Sequence, residues 1–155
     1  MKRLLTTLTI LLLLALTACG GAKKEDADHV FLYNGTTVSC RGDMAEVVRI
    51  IGEPTSLLES PSCAGEGFDR LYSYGGFAVS TVPDGDVQRI SRIELRNDTV
   101  ATPEGAAVGM TRREVEEIYG TGYIEKGFGI EYAGRSSRLI FILRDGKVTG
   151  IIYSL

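Results

Sequence analysis

The apolar residues of this chain fall into three kinds of pattern. Between Leu4 and Leu16 they run together, broken by Thr6, Thr7 and Thr9. From Val30 onward they recur either at helical spacing or in short alternating runs. The helical pattern occurs twice. "EVVRIIG", Glu46 to Gly52, returns 68 positions later as "EVEEIYG", Glu114 to Gly120. In each, Val and Ile at i and i+3 make one apolar stripe. Asp43 and Thr111 stand at the helix starts as N-caps, and Glu46 and Glu114 follow three residues on, the spacing of a reciprocal capping box. Gly52 and Gly120 stop the helices, and Pro54 reinforces the first stop.

Alternation marks the strands. Phe77–Val82 and Val87–Arg96 flank "DGDV", and Leu139–Leu143 and Val148–Tyr153 flank "DGKV". Asp-Gly between apolar runs is a hairpin signal. Earlier strands are expected at Leu71–Tyr74 and Ile130–Tyr132. "FLYNGTTVSC" predicts a further hairpin turning at Asn34-Gly35. Each half thus reads as helix, loop and three strands. The expected fold is α+β: two tandem repeats, each a short helix packed on a three-stranded antiparallel sheet. The first repeat, with the N-terminal hairpin, occupies 30–100 and the second 101–155.

The leading apolar run changes the picture of location. Lys2 and Arg3 precede it and the small residues Thr17 and Ala18 follow, as in a secretory signal over residues 1–18. Its longest uninterrupted stretch, Ile10 to Leu16, is too short to span a bilayer. Leu16-Thr17-Ala18-Cys19 resembles the lipobox of bacterial lipoproteins. The resemblance implies cleavage before Cys19, attachment of a diacylglycerol to its sulfur and acylation of its amine. Two or more acyl chains anchor a protein firmly, at about 0.8 kcal/mol per buried CH₂. The expectation is a chain held by a lipid on the extracytoplasmic side of a membrane, the plasma membrane in a Gram-positive host. Residues 19–29, with "GGAKKEDADH" after the cysteine, read as a flexible tether.

Removing residues 1–18 takes away two of the 17 basic residues and none of the 20 acidic ones. The net charge moves from −3 to −5, which argues against nucleic acid as a partner. Outside the cytoplasm, Cys40 and Cys63 could pair, closing a loop worth about 3 kcal/mol. Alternatively, Cys40 is a small core residue alternating with Val38 and Cys63 lies in a loop.

The helical echo carries a second resemblance. Gly109-Met110-Thr111, Val115 and Gly120 are similar to the G-M-T…V…G pattern of BamE/SmpA outer-membrane assembly lipoproteins, whose fold β-lactamase-inhibitor proteins share. The first copy keeps Gly52-Glu53-Pro54 but has "RGDM" in place of G-M-T. The chain as a whole also resembles repeat lipoproteins of Gram-positive bacteria. What these resemblances imply is a fold and an open sheet face used for binding. They bring no activity with them.

Catalytic chemistry has little to work with. The one histidine, His29, falls in the tether, whereas nucleophilic triads and most proton shuttles need one in a site. One His and two Cys make no standard zinc site, and no metal or cofactor is expected. "GTGYIEKGFG" follows a helix instead of leading into one, so it fails the phosphate-loop context. Glu116 and Glu117, or Asp84 and Asp86, are the carboxylate pairs a cell-wall hydrolase could use; the first pair points apart on a helix and the second flanks a turn. The expectation is a non-catalytic, protein-binding scaffold or inhibitor-like module with an envelope protein as partner. The alternatives are a sensor of a small envelope ligand and a carboxylate-dependent hydrolase.

One surface is singled out. With Asp145-Gly146 as a two-residue turn, Arg144 opposes Lys147. Alternation then collects Leu139, Phe141, Leu143, Val148 and Ile152 under the helix. Arg138, Ile140, Ile142 and Arg144 fall on the opposite face, with Thr149, Ile151 and Tyr153 beside them. An apolar patch with a basic rim is the expected protein-binding face.

Overall fold

The computed structural model describes residues 27–63 and 65–155. The signal segment and Cys19 lie outside them. The chain first makes a small hairpin, β1 (Phe31–Tyr33) and β2 (Thr36–Val38), and then α1 (Met44–Ile51). Four strands follow: β3 (Ser56–Pro61), β4 (Phe68–Ser73), β5 (Phe77–Asp84) and β6 (Val87–Leu95). After α2 (Arg112–Tyr119) come four more: β7 (Ile124–Lys126), β8 (Gly129–Ala133), β9 (Arg138–Arg144) and β10 (Lys147–Ser154). All eight later strands form one antiparallel sheet in the order β3-β4-β5-β6-β10-β9-β8-β7.

This overturns the expected architecture of two helix-on-three-strand repeats. Two things differ. Each half gains an outer strand, β3 or β7, from a segment with no apolar alternation. The halves also do not keep separate sheets. β10 pairs with β6, placing Ile151 opposite Leu95 and Tyr153 opposite Ile93, so the molecule is mostly β with two short helices on one sheet.

The helix starts and tight turns have local causes, but the reciprocal capping box expected at both helices forms at α2 and not at α1. Asp43 accepts the Ala45 amide at 2.9 Å and starts α1. At α2 the reciprocal box closes: Glu114 receives the Thr111 amide at 2.7 Å while Thr111 Oγ1 accepts from Glu114 N. Glu46 is the acidic residue of the first turn of α1, favourable near a helix N-terminus. Asn34-Gly35 and Asp145-Gly146 both have φ > 0, the conformation that a tight two-residue hairpin turn requires.

Register places the core. One row of opposed side chains crosses the sheet as Tyr72, Val79, Ile93, Tyr153, Leu139 and Tyr132. The next reads Phe77, Leu95, Ile151, Phe141 and Ile130. Every one of these residues is buried. The same face receives Met44 and Val47 from α1, Val115 from α2 and Phe31 and Val38 from the small hairpin. Phe31 packs edge-on to Phe77 at 5.0 Å, and Tyr119 lies 5.4 Å from Phe141. Among the described residues, helices and hairpin all cover this one face.

Candidate binding surface

The opposite face is the candidate site. One row runs across all eight strands: Ser56, Ser73, Ala78, Glu94, Ile152, Ile140, Glu131 and Ile124. A second holds Leu58, Leu71, Ser80, Arg92, Ser154, Arg138 and Ala133. Ile142 adds to the apolar part. It sits between Gly129 and Gly150, with no flanking side chains to shield it, and stays half-buried. Gly129 has no room for a Cβ, which would lie 1.9 Å from the Phe141 carbonyl oxygen. The face therefore has an isoleucine centre, with Ile140, Ile142 and Ile152 contributed by β9 and β10.

Charges frame that centre in pairs. Glu131 is buried and lies 3.5 Å from Lys126. Glu94 receives Arg96 at 3.3 Å and has Arg92 at 3.8 Å. Arg138 is exposed and donates to the carbonyl oxygen of Leu155. An apolar patch inside a rim of polar groups is suited to a protein partner.

The expected face is only partly this one. Arg138, Ile140 and Ile142 lie on it. Ile151 and Tyr153 do not; they are 0% and 1% exposed, in the core. The cause is a β-bulge. Pairing holds at Lys147 with Arg144 and Val148 with Leu143, then jumps to Gly150 with Ile142, leaving Thr149 as the extra residue. One inserted residue exchanges the two faces of all that follows. Ile152 therefore turns to the face away from the helices, where Glu94 and Ile140 flank it and leave it 5% exposed. Arg144 and Thr149 are exposed at and beside the turn, not on the rim of a continuous patch. The alternation also missed Glu94, Glu131 and Ile124, whose positions depend on neighbouring strands.

The N-terminal end of the described chain holds a second feature. Asp28 accepts from the Ser136 amide at 2.6 Å and from its hydroxyl at 2.8 Å. These bonds hold its carboxyl below the usual range. The His29 amide donates to Ser137 Oγ at 2.7 Å. Residues 28 and 29, expected in the flexible tether, are thus pinned to the β8–β9 turn. Beside them lies a cleft of about 260 Å³ lined by Asp28, Ser39, Cys40, Arg41 and Ser136 among others. It lies where the N-terminal segment meets residues 39–41 and the β8–β9 turn, with Val30 and Leu155 beside the polar groups.

Both described cysteines are free thiols. Cys40 is half-buried and its Sγ donates to the Ser91 carbonyl oxygen at 3.7 Å. Burial pushes this thiol up to about 11. Cys63 is exposed. Three of the four carboxylates that a hydrolase could use have partners of their own. Glu116 accepts from Tyr123 OH at 2.7 Å, Glu117 lies 3.6 Å from Arg113, and Asp84 takes Arg89 at 3.0 Å. No group of His, Cys, Asp and Glu among the described residues is arranged to hold a metal ion. Nor is any described helix long and apolar enough to cross a membrane.

The fold defines a class: one eight-stranded antiparallel sheet with both helices and the small hairpin on one side and, among the described residues, no element packed on the other. No protein-family model matches the chain, and no curated protein matches it. Among solved structures it is similar to an extracellular protein containing an SCP domain from Bacillus anthracis, with a TM-score of 0.55 and 11% identity. That alignment covers 74% of this chain and 43% of the other, so the chain spans less than half the length of that structure. A DUF4309 family protein from Bacillus subtilis aligns over 76% of this chain and 80% of its own, with 18% identity and a TM-score of 0.42.

Proposed function

We propose that this chain is a lipid-anchored, extracytoplasmic, non-catalytic module that binds an envelope protein through its open sheet face. The observation that carries the proposal is the half-exposed pair Ile140 and Ile142, set beside the buried Ile152 on the sheet face away from the described helices and inside paired charges. Antiparallel sheets usually keep a solvated face polar, so branched apolar residues there suit a protein surface. The extracytoplasmic address rests on the signal pattern before Cys19, and the similar Bacillus anthracis structure is that of an extracellular protein. The anchor rests on Cys19 and its lipobox. Neither nucleic acid nor a cofactor enters the proposal.

The test is a photoreactive side chain at Ile142 in native cells, with Leu32 on the other layer as control. One envelope protein captured from position 142, and lost in Ile140→Glu with unchanged thermal unfolding, is the expected result. Equal capture from Leu32, or capture insensitive to Ile140→Glu, overturns the binding face. Mass spectrometry of the N-terminus tests the anchor separately: an unmodified Cys19 in native membranes removes it.

A further inference from the structure

The two outer strands of the sheet hold equivalent places and are built in opposite ways. β7 has three residues. Its Glu125 is gripped by both terminal guanidinium nitrogens of Arg112, at 2.6 and 2.9 Å, and its Lys126 pairs with Glu131. Short, charged edges discourage pairing with another chain. β3 has six residues, all exposed, and pairs with β4 without a bulge. Leu57 is 46% exposed and Leu58 63%. They point to opposite faces of the sheet, Leu57 beside Tyr72 and Leu58 beside Leu71. The single charge on β3, Glu59, is met by Arg70 at 2.6 Å. The edge is therefore straight, apolar on both faces and locally neutral.

We propose that β3 is the self-association edge of this protein: two copies pair β3 to β3, antiparallel, about a two-fold axis through Leu58. The occupant follows from three properties. A neutral edge meets a copy of itself without repulsion. Its length matches its own. An isologous contact also closes on itself, and because β7 is blunted, the assembly stops at two and does not grow into a fibre. Parity then selects the register. An axis perpendicular to the sheet keeps the covered face with the covered face, so opposed residues must share parity. Centring on Glu59 would oppose two carboxylates. Centring on Leu57 would leave Glu59, Ser60 and Pro61 unopposed. Centring on Leu58 sets Leu58 against Leu58 on the open face, Leu57 against Glu59, and Ser56 against Ser60, leaving only Pro61, which has no N–H to donate, without a counterpart.

The register is tested in native membranes with the full chain in a Cys63→Ser background. Leu58→Cys should form a disulfide-linked dimer on a non-reducing gel after mild oxidation, since opposed Cβ atoms lie about 4.5–5.5 Å apart. Ser60→Cys, whose counterpart is displaced by four residues or about 13 Å along the strand, should not. Light scattering on the purified chain should show a dimer that Leu58→Lys weakens by roughly tenfold or more. Ile124→Lys, on the blunted edge, should leave it intact. A monomeric parent chain, with β3 left to another protein or to solvent, overturns the proposal. So does a dimer that survives Leu58→Lys, or equal crosslinking through position 60.

Discussion

At the scale of single residues, the helix caps and the two thiols make the sharpest claims. Thr111→Ala removes the acceptor for the Glu114 amide and the donor to its carboxylate. It should cost about 0.5–2 kcal/mol, read as a lower melting temperature with no change in partner capture. The Glu114 carboxyl is held below its ordinary range, first by the Thr111 amide and then by its hydroxyl. The unfolded chain therefore takes up this proton at a higher pH than the folded one. The stabilisation is complete above the ordinary glutamate range and disappears as pH falls through the folded value. Glu114→Gln should lower the melting temperature at neutral pH, and the difference should vanish in strong acid. The thiols should separate by reactivity. Cys63 is exposed, whereas burial raises Cys40 to about 11 and suppresses its thiolate. Alkylation of the folded chain at mildly alkaline pH, followed by peptide mapping, should label Cys63 first and Cys40 only on unfolding.

At the scale of elements, the helices and the tight hairpin turns were legible in the sequence. Caps, glycine stops and Asp-Gly or Asn-Gly turns act over a few residues, so local chemistry decides them. The outer strands were not legible. Every position of "SLLESP" is exposed in β3, so there is no buried face to impose alternation. The bulge at Thr149 was equally hidden. Continuous alternation from Val148 onward is just as good a pattern, yet it would put Ile152 in the core and expose Tyr153. The bulge turns Ile151 and Tyr153 inward instead, opposite Leu95 and Ile93 of β6. Inserting one further residue after Thr149 should therefore abolish the native fold, because behind the same bulge it sends both side chains to the open face. Thr149→Ala keeps the extra residue and should change stability by less than about 0.5 kcal/mol. Circular dichroism and thermal melts of the two variants distinguish insertion from side chain.

At the scale of the molecule, the consequence is one core. Rows of buried side chains pass from β4 to β8 through the β6–β10 seam. Ile151 sits in that seam at 0% exposure, between Leu95 and Phe141. Ile151→Ala should cost about 2–5 kcal/mol and lower the unfolding of both halves together. Hydrogen exchange at amides of β5 and of β8 should report the same loss. Two separate transitions would show that the halves have independent cores.

By itself, the sequence determined the repeated helices with their caps, the hairpin turns and the lipobox pattern at Cys19, because each is written in contiguous residues. It also located Ile140 and Ile142 on a strand face away from the helix, since β9 alternates without interruption. Only the tertiary structure decided that eight strands share one sheet, that β3 and β7 close its two edges differently, and that Ile152 replaces Ile151 and Tyr153 on the open face. Those outcomes depend on which distant strand supplies the facing row. A shift of one residue, invisible to local propensity, exchanges buried for exposed along the rest of a strand.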